Sequence, residues 1–291
     1  MRRRLGRPWR ITDYLLLSGL VGVAIWLQRQ PLLDIIQIGR NDQEQSHIFL
    51  APLVAVYLMW LRRSRLRSLM VEPSLIGPAV VIIGWLVSWW GFRSGAQIAW
   101  HGGAVATLLG ALLSMTGMAP LHRFGPVFLV LIFMLPVPGE IRHRIALPLQ
   151  NMATVVTHSM LEFFGVSAVR SGNVLVINGE QVAVGEACNG MRMVFALTLV
   201  VYAFAFGTPL RTGTRIVLLL LSPIVAMVCN VIRLVPTSLM YGYGNAEFAQ
   251  SFHDLAGWVM LPVALAILAV VLRTIRWLEF PVTTFRLASQ P

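Results

Sequence analysis

Long apolar runs divided by short polar breaks dominate this chain. Runs near the roughly 20 residues that a helix needs to cross a bilayer core read at 12–28, 47–61, 75–92, 97–118, 124–138, 189–207, 215–236 and 255–272. The second and fifth are the shortest. Between the fifth and sixth runs lies the one long polar stretch, from Gly139 to Glu186. Its first part, EIRHRIALPLQNMATVVTHSMLEFFG, has a helical apolar period and predicts an amphipathic helix lying along the membrane surface. The following NVLVINGEQVAV alternates with period two around Asn178-Gly179, which predicts a two-residue β-hairpin feeding into Cys188. The predicted fold class is therefore an all-α polytopic membrane protein. It has about eight transmembrane helices, with a short extracytoplasmic helix and a β-hairpin before the sixth. Residues 1–291 form a single integral membrane domain, and 139–187 are an extracytoplasmic insertion within it.

Composition narrows the function classes. The chain is 57% hydrophobic and 12% charged, where a soluble domain carries about 25% charged residues. All 23 basic residues are arginine, which excludes a lysine base, a Ser–Lys dyad and Schiff-base chemistry. The net charge is +11, but the arginines lie between apolar runs rather than on one amphipathic face, so a nucleic-acid-binding reading fails. Two cysteines make neither a disulfide framework nor a four-ligand zinc site, and the six histidines show no metal spacing. No metal and no cofactor is expected.

Arginine distribution sets an expected orientation. With the N-terminus inside, fifteen arginines fall in inner segments and six in outer ones, with Arg192 and Arg233 in or beside spans. MRRRLGRPWR resembles the charged region of a signal peptide. No small-residue cleavage site follows, so the first run reads as a retained span. Both termini are then cytoplasmic.

That topology sends three polar positions to one side. Cys188 stands where the sixth run begins, and a helix N-terminus with arginine nearby favours thiolate over thiol. Arg192 is four residues on, one turn deeper on the same face. Arg233, in VCNVIRLVP, lies near the outer end of the seventh run. An arginine there either serves a site or snorkels to headgroups. His253, in SFHDLAG, opens the eighth run. Ser251 and Asp254 resemble a capping box, which puts His253 in the first helical turn as a base or as a solvated interfacial ring. Glu186 is either an acceptor at the helix start or an exposed loop carboxylate. Cys229, mid-span, reads as a small packing residue. A cysteine, a histidine and an arginine together suit nucleophilic acyl transfer: thiolate attack, proton transfer and charge stabilisation.

The stretches GEACNGMR, NVIRLVP and FHDLAGW resemble the exosortase/archaeosortase family of membrane cysteine transpeptidases. NDQEQSHIFLAPLVAVYLMWLRR and LIFMLPVPGEIRHRIALPLQNMAT extend the likeness over roughly residues 40–275. The resemblance implies about eight spans and an outward-facing site with Cys188 as nucleophile, Arg233 as charge stabiliser and His253 as proton-transfer residue. Arg192, Glu186 and Asn189 are the substrate-binding candidates, Asn189 standing where serine is more usual. It also implies exported protein substrates ending in a short motif such as Pro-Glu-Pro, a transmembrane helix and a basic tail. These would be transferred to a cell-envelope acceptor at the bacterial inner membrane, often in an exopolysaccharide setting. Two other readings stay open from the residues: a transporter or lipid-linked-saccharide handler with an arginine anion site, and an inactive scaffold of an export complex.

Overall fold

The computed structural model of the chain describes residues 7–66, 69–184 and 190–278. Helices α1 (Ile11–Leu27) and α2 (Arg29–Asn41) lead through a 3-10 segment, Gln43–Phe49, into α3 (Leu50–Leu61) and the short α4 (Arg63–Leu66). Then come α5 (Ile76–Ser94), α6 (Gln97–Thr116), α7 (Ala119–Arg123), α8 (Gly125–Val130) and α9 (Gly139–Phe163). Three strands follow: β1 (Ala168–Ser171), β2 (Val174–Ile177) and β3 (Glu180–Ala183). Three apolar helices close the described chain: α10 (Met191–Gly207), α11 (Thr212–Tyr243) and α12 (Ala246–Leu278).

The all-α polytopic class holds, while the expected eight straight spans become something less regular. Among the described residues five stretches are long and apolar enough to cross a membrane: Glu44–Leu61, Ile76–Ser94, Gln97–Thr116, Thr212–Tyr243 and Glu247–Thr274. Two more spans arise only if bent pairs are each counted as one. α1 and α2 meet at 71°, and α8 with its 3-10 extension meets α9 at 90°. The sixth expected run is α10, whose 17 residues reach about 26 Å, just short of a hydrocarbon core of about 30 Å.

Each bend has a local cause. At the first, Gln28 caps both helices and its side chain is tied down on both sides: Nε2 donates to Thr107 Oγ1 at 3.0 Å and Oε1 accepts from Ser88 Oγ at 3.0 Å. At the second, Pro136 and Pro138 flank Val137, and proline disfavours helical geometry in the residue before it. α9 keeps one buried face, Ala146, Ala153, Thr154, Thr157 and Leu161, as the amphipathic reading expected.

α10 is the shared wall of two apolar clusters. Leu199 and Tyr202 pack with Val54 and Leu58 of α3 and Val127 and Val130 of α8. Leu197 and Val201, on its other face, pack with Val225, Ala226 and Cys229 of α11 and Ala264 and Leu268 of α12. A third cluster joins α9 (Ala153, Leu161), the sheet (Ala168, Leu175, Ile177) and α11 (Leu234). The expected hairpin is present, with Ile177 opposite Glu180 across Asn178-Gly179. Both turn residues have positive φ, 54° and 85°, which is the type I′ geometry that an Asn-Gly pair accommodates. The structure adds a strand: β1 pairs antiparallel with β2, so the hairpin is part of a three-stranded sheet. The sequence of β1, AVRS, is too short to declare itself.

Candidate active site

α11 is the spine of the site. Its 32 residues make it about 48 Å long, some 18 Å more than a bilayer core requires. The sheet covers its C-terminal part. Asn178 Nδ2 donates to the Gly242 carbonyl at 3.3 Å, and Ile177 lies so close to Gly242 that an added Cβ would sit 2.5 Å from it. Leu234, eight residues earlier on α11, packs in the cluster under the sheet.

This length changes where Arg233 stands. The sequence reading ended the seventh run at residue 236. The helix instead continues through Pro236 to Tyr243, so Arg233 lies about 15 Å before its end. A proline deprives one carbonyl of its partner and bends a helix without necessarily ending it. Arg233 is therefore well inside the helix and not at its end.

The start of α12 corrects a second expectation. The helix begins at Ala246, and the cap is Asn245, whose Oδ1 accepts from the Glu247 N–H at 2.9 Å. Ser251 is inside the helix, donating to the Glu247 carbonyl at 3.0 Å. Ser251 and Asp254 are thus no capping box, and His253 lies about 10 Å into α12 rather than in its first turn. The Asp254 side chain lies outside the described part.

Three contacts bring the elements together. Arg233 Nη2 donates to Asn230 Oδ1 at 2.8 Å, one turn back on α11, and Asn230 is fully buried. The Arg233 guanidinium also lies against α12 at Gly257, where an added Cβ would meet Nη1 at 3.3 Å. Gly257 is four residues beyond His253, hence on the same helix face. On the other side, Gly190 caps α10 with φ 80° and abuts the same asparagine: an added Cβ would lie 3.1 Å from Met227 Sδ and 3.2 Å from Asn230 Nδ2. The entrance of α10, the middle of α11 and the first turns of α12 therefore converge on Asn230 and Arg233.

Cys188, Glu186 and Asn189 lie outside the described residues. Gly190, with its left-handed backbone, caps α10, which starts at Met191 and carries Arg192 in its first turn. Arg192 is exposed. Cys229 is fully buried among apolar residues of α10, α11 and α12, as a packing residue should be. Asn230, Gly190 and Gly257 were not singled out from sequence. The spacing of Asn230 and Arg233, three apart in CNVIR, was the available signal for the first; the glycines show their purpose only against their neighbours.

A second polar group, quoted above only for its family likeness, lies near the entrance of α10. Arg142 of α9 bonds Asp42 and lies 3.7 Å from Glu44 Oε2. Gln45 Oε1 accepts from the Val137 N–H at 2.8 Å, and its Nε2 donates to Asp42 Oδ2 at 3.1 Å. His47, buried, stacks on Phe195 of α10 with ring centres 4.3 Å apart. This knot ties the end of α2 to the α8–α9 bend beside the first turn of α10.

Comparison with known proteins gives a family match. The family model described as transmembrane exosortase (EpsH type) matches residues 39–270, a stretch that contains the polar knot, the sheet, Gly190, Arg233 and His253. No curated protein and no solved structure matches the chain. With most of its length covered by that model, the chain belongs to the transmembrane exosortase family.

Proposed function

We propose that this protein is a membrane-embedded cysteine peptidase/transpeptidase that cleaves C-terminal sorting signals of exported proteins and transfers them to a cell-envelope acceptor. Family membership supports a sorting transpeptidase acting on exported proteins in general. The particular reading rests on one observation: Gly190, Asn230, Arg233 and Gly257 bring three helices to one point. Cys188 is two residues from Gly190, so chain geometry keeps its Cα within about 7 Å of that glycine.

In this reading the Cys188 thiolate attacks the scissile carbonyl carbon. Arg233 donates N–H groups to the negative charge that develops on the carbonyl oxygen, with Asn230 holding the guanidinium in place. His253 gives its proton to the leaving amine as the C–N bond breaks, which leaves a thioester on Cys188. An acceptor nucleophile, its proton taken by His253, then displaces the thiolate. Arginine suits its role because its fork of donors stays charged in a low-dielectric setting. Arg192, Glu186 and Asn189 are assigned to substrate binding. Both termini are placed in the cytoplasm and residues 139–187 outside, facing the periplasm, on the arginine asymmetry.

The experiment uses a reporter whose C-terminus carries a Pro-Glu-Pro motif, an apolar helix and an arginine cluster, co-expressed with the full-length protein. Cys188→Ala is expected to abolish cleavage while the protein still accumulates in the membrane, and Cys229→Ala to retain most cleavage. The reverse pattern would place the chemistry on the wrong thiol.

A further inference from the structure

The sheet order β1-β2-β3 leaves β1 and β3 as edge strands. In a two-residue hairpin the pair closing the turn exchanges both backbone hydrogen bonds, and the pattern alternates from there. Ile177 and Glu180 close the turn, so Glu180 and Val182 bond to β2. The bond from the Val184 N–H to the Asn173 carbonyl, 2.9 Å, continues the same parity. Gln181 and Ala183 therefore aim their N–H and C=O groups away from the sheet, and both residues are exposed. The same parity on β1 turns Ala168 outward, but there the carbonyl is taken: His158 Nε2 of α9 donates to it at 2.9 Å. That contact from α9 covers one end of the β1 edge, whereas among the described residues no hydrogen bond takes the outward groups of Gln181 or Ala183 on β3.

The direction of β3 gives that edge a purpose. The strand starts beside Gly242, near the end of α11. Just beyond its end, Val184 packs with Leu234 and is held to α9 by Gln150. Six residues later Gly190 meets Asn230. β3 thus descends along α11 toward Arg233, and the chain passes without interruption into the segment carrying Cys188. No proline or charge at Gln181 or Ala183 blocks pairing, although such devices usually protect an exposed edge.

We infer that β3 receives an extended segment of the substrate polypeptide as a fourth strand, bonded through the backbone of Gln181 and Ala183, and so leads the scissile bond to Cys188. The inference rests on the peptidase reading above. Main-chain pairing selects an extended backbone and leaves side-chain choice to the flanking surface. An exported protein whose body lies outside and whose tail enters the membrane runs in the same direction as β3, so the added strand is parallel.

Proline is tolerated on a strand edge where its missing N–H faces outward, which gives a selective test. In the full-length protein, Ala183→Pro is expected to slow cleavage of the same reporter by about tenfold or more, the scale of a lost hydrogen bond with a steric block added. Cys188 should still be alkylated by iodoacetamide at the wild-type rate, and Ala183→Val, which keeps the N–H, should cleave normally. Wild-type cleavage by Ala183→Pro, or equal loss in Ala183→Val, would overturn the inference. A second measurement does not depend on how well Ala183→Pro folds. A photo-crosslinking residue at Gln181, in the Cys188→Ala background, should capture the reporter tail, and one at Arg170 on β1 should not. Capture at Arg170 alone, or at neither, overturns the added strand. Cleavage by Cys188→Ala itself would instead defeat the peptidase reading on which the inference rests.

Discussion

Glycine serves different ends in two parts of this molecule. Between α5 and α6 it brings two backbones together. Gly77, Gly84 and Gly91 recur every seven residues on α5, and a Cβ on them would lie 2.2 Å from Ser114 N, 2.7 Å from Thr107 N and 2.3 Å from Trp100 N. Gly103 and Gly110 answer from α6 against Ser88 N and Val81 N, at 2.4 and 2.6 Å. In lipid there is little hydrophobic drive for helices to associate, so close packing by small residues supplies it. At the meeting of α10, α11 and α12, glycine instead leaves room for side chains. Gly190 accommodates Met227 and Asn230, and Gly257 accommodates the Arg233 guanidinium, at 3.1 to 3.3 Å. The first arrangement makes a rigid wall; the second lets polar groups meet among apolar helices.

The contrast predicts different failures. The largest effect belongs to the wall: Gly84→Leu would drive a side chain into the α6 backbone, and the full-length protein should fail to accumulate in membranes, as read by immunoblot of the membrane fraction. Normal accumulation would mean that α5 and α6 are not packed backbone to backbone. At the site the fold should survive and the chemistry should not. Arg233→Lys keeps the charge but loses the fork of donors held by Asn230, so reporter cleavage should drop on the order of 10²-fold, the scale of a lost oxyanion donor. A wild-type rate in that variant would reduce the guanidinium to a charge. Gly257→Val should displace the guanidinium and lower cleavage by about tenfold, a cost near 1.4 kcal/mol, whereas Gly257→Ala, which demands a shift of a few tenths of an ångström, should cost much less. Equal rates for the two would remove the contact from the account. The smallest effect lies outside both regions. Asn245→Ala removes the cap of α12 and should cost about 1 kcal/mol of stability, measured by thermal unfolding in detergent, with little change in cleavage.

The same contrast explains what could be read from the sequence. Apolar runs are long-range averages, so the helices and the all-α class stood out, as did the hairpin at Asn178-Gly179, whose turn chemistry is local. Single boundary signals misled. The seventh apolar run stopped at residue 236 although the helix runs on to Tyr243, and Ser251 with Asp254 imitated a cap that Asn245 provides. Each of these local signs was outweighed by packing: the sheet holds the far end of α11, and α12 begins earlier to pack beside it. The uneven spans at α2 and α9 were also hidden, because the side chains that fix them, Gln28 on Thr107 and Ser88, and Gln45 on Val137, come from distant segments. Arg233 and His253 were legible as costly polar residues in apolar runs. Their neighbours Gly190, Asn230 and Gly257 were not, since glycine and asparagine acquire meaning only from what they touch.

The central claim is that Cys188 works beside the point where α10, α11 and α12 meet. A thiol placed by His253→Cys in a Cys229→Ala background tests it by distance alone, without a substrate. The full-length protein in native membranes is treated with a short bis-maleimide, and the joined peptides are identified by mass spectrometry. Efficient intramolecular linkage of Cys188 to position 253, and none to a thiol placed by Ser94→Cys at the end of α5, is the predicted result. Linkage of Cys188 to position 94 but not to 253 would put the thiol on the other side of the molecule and contradict the account.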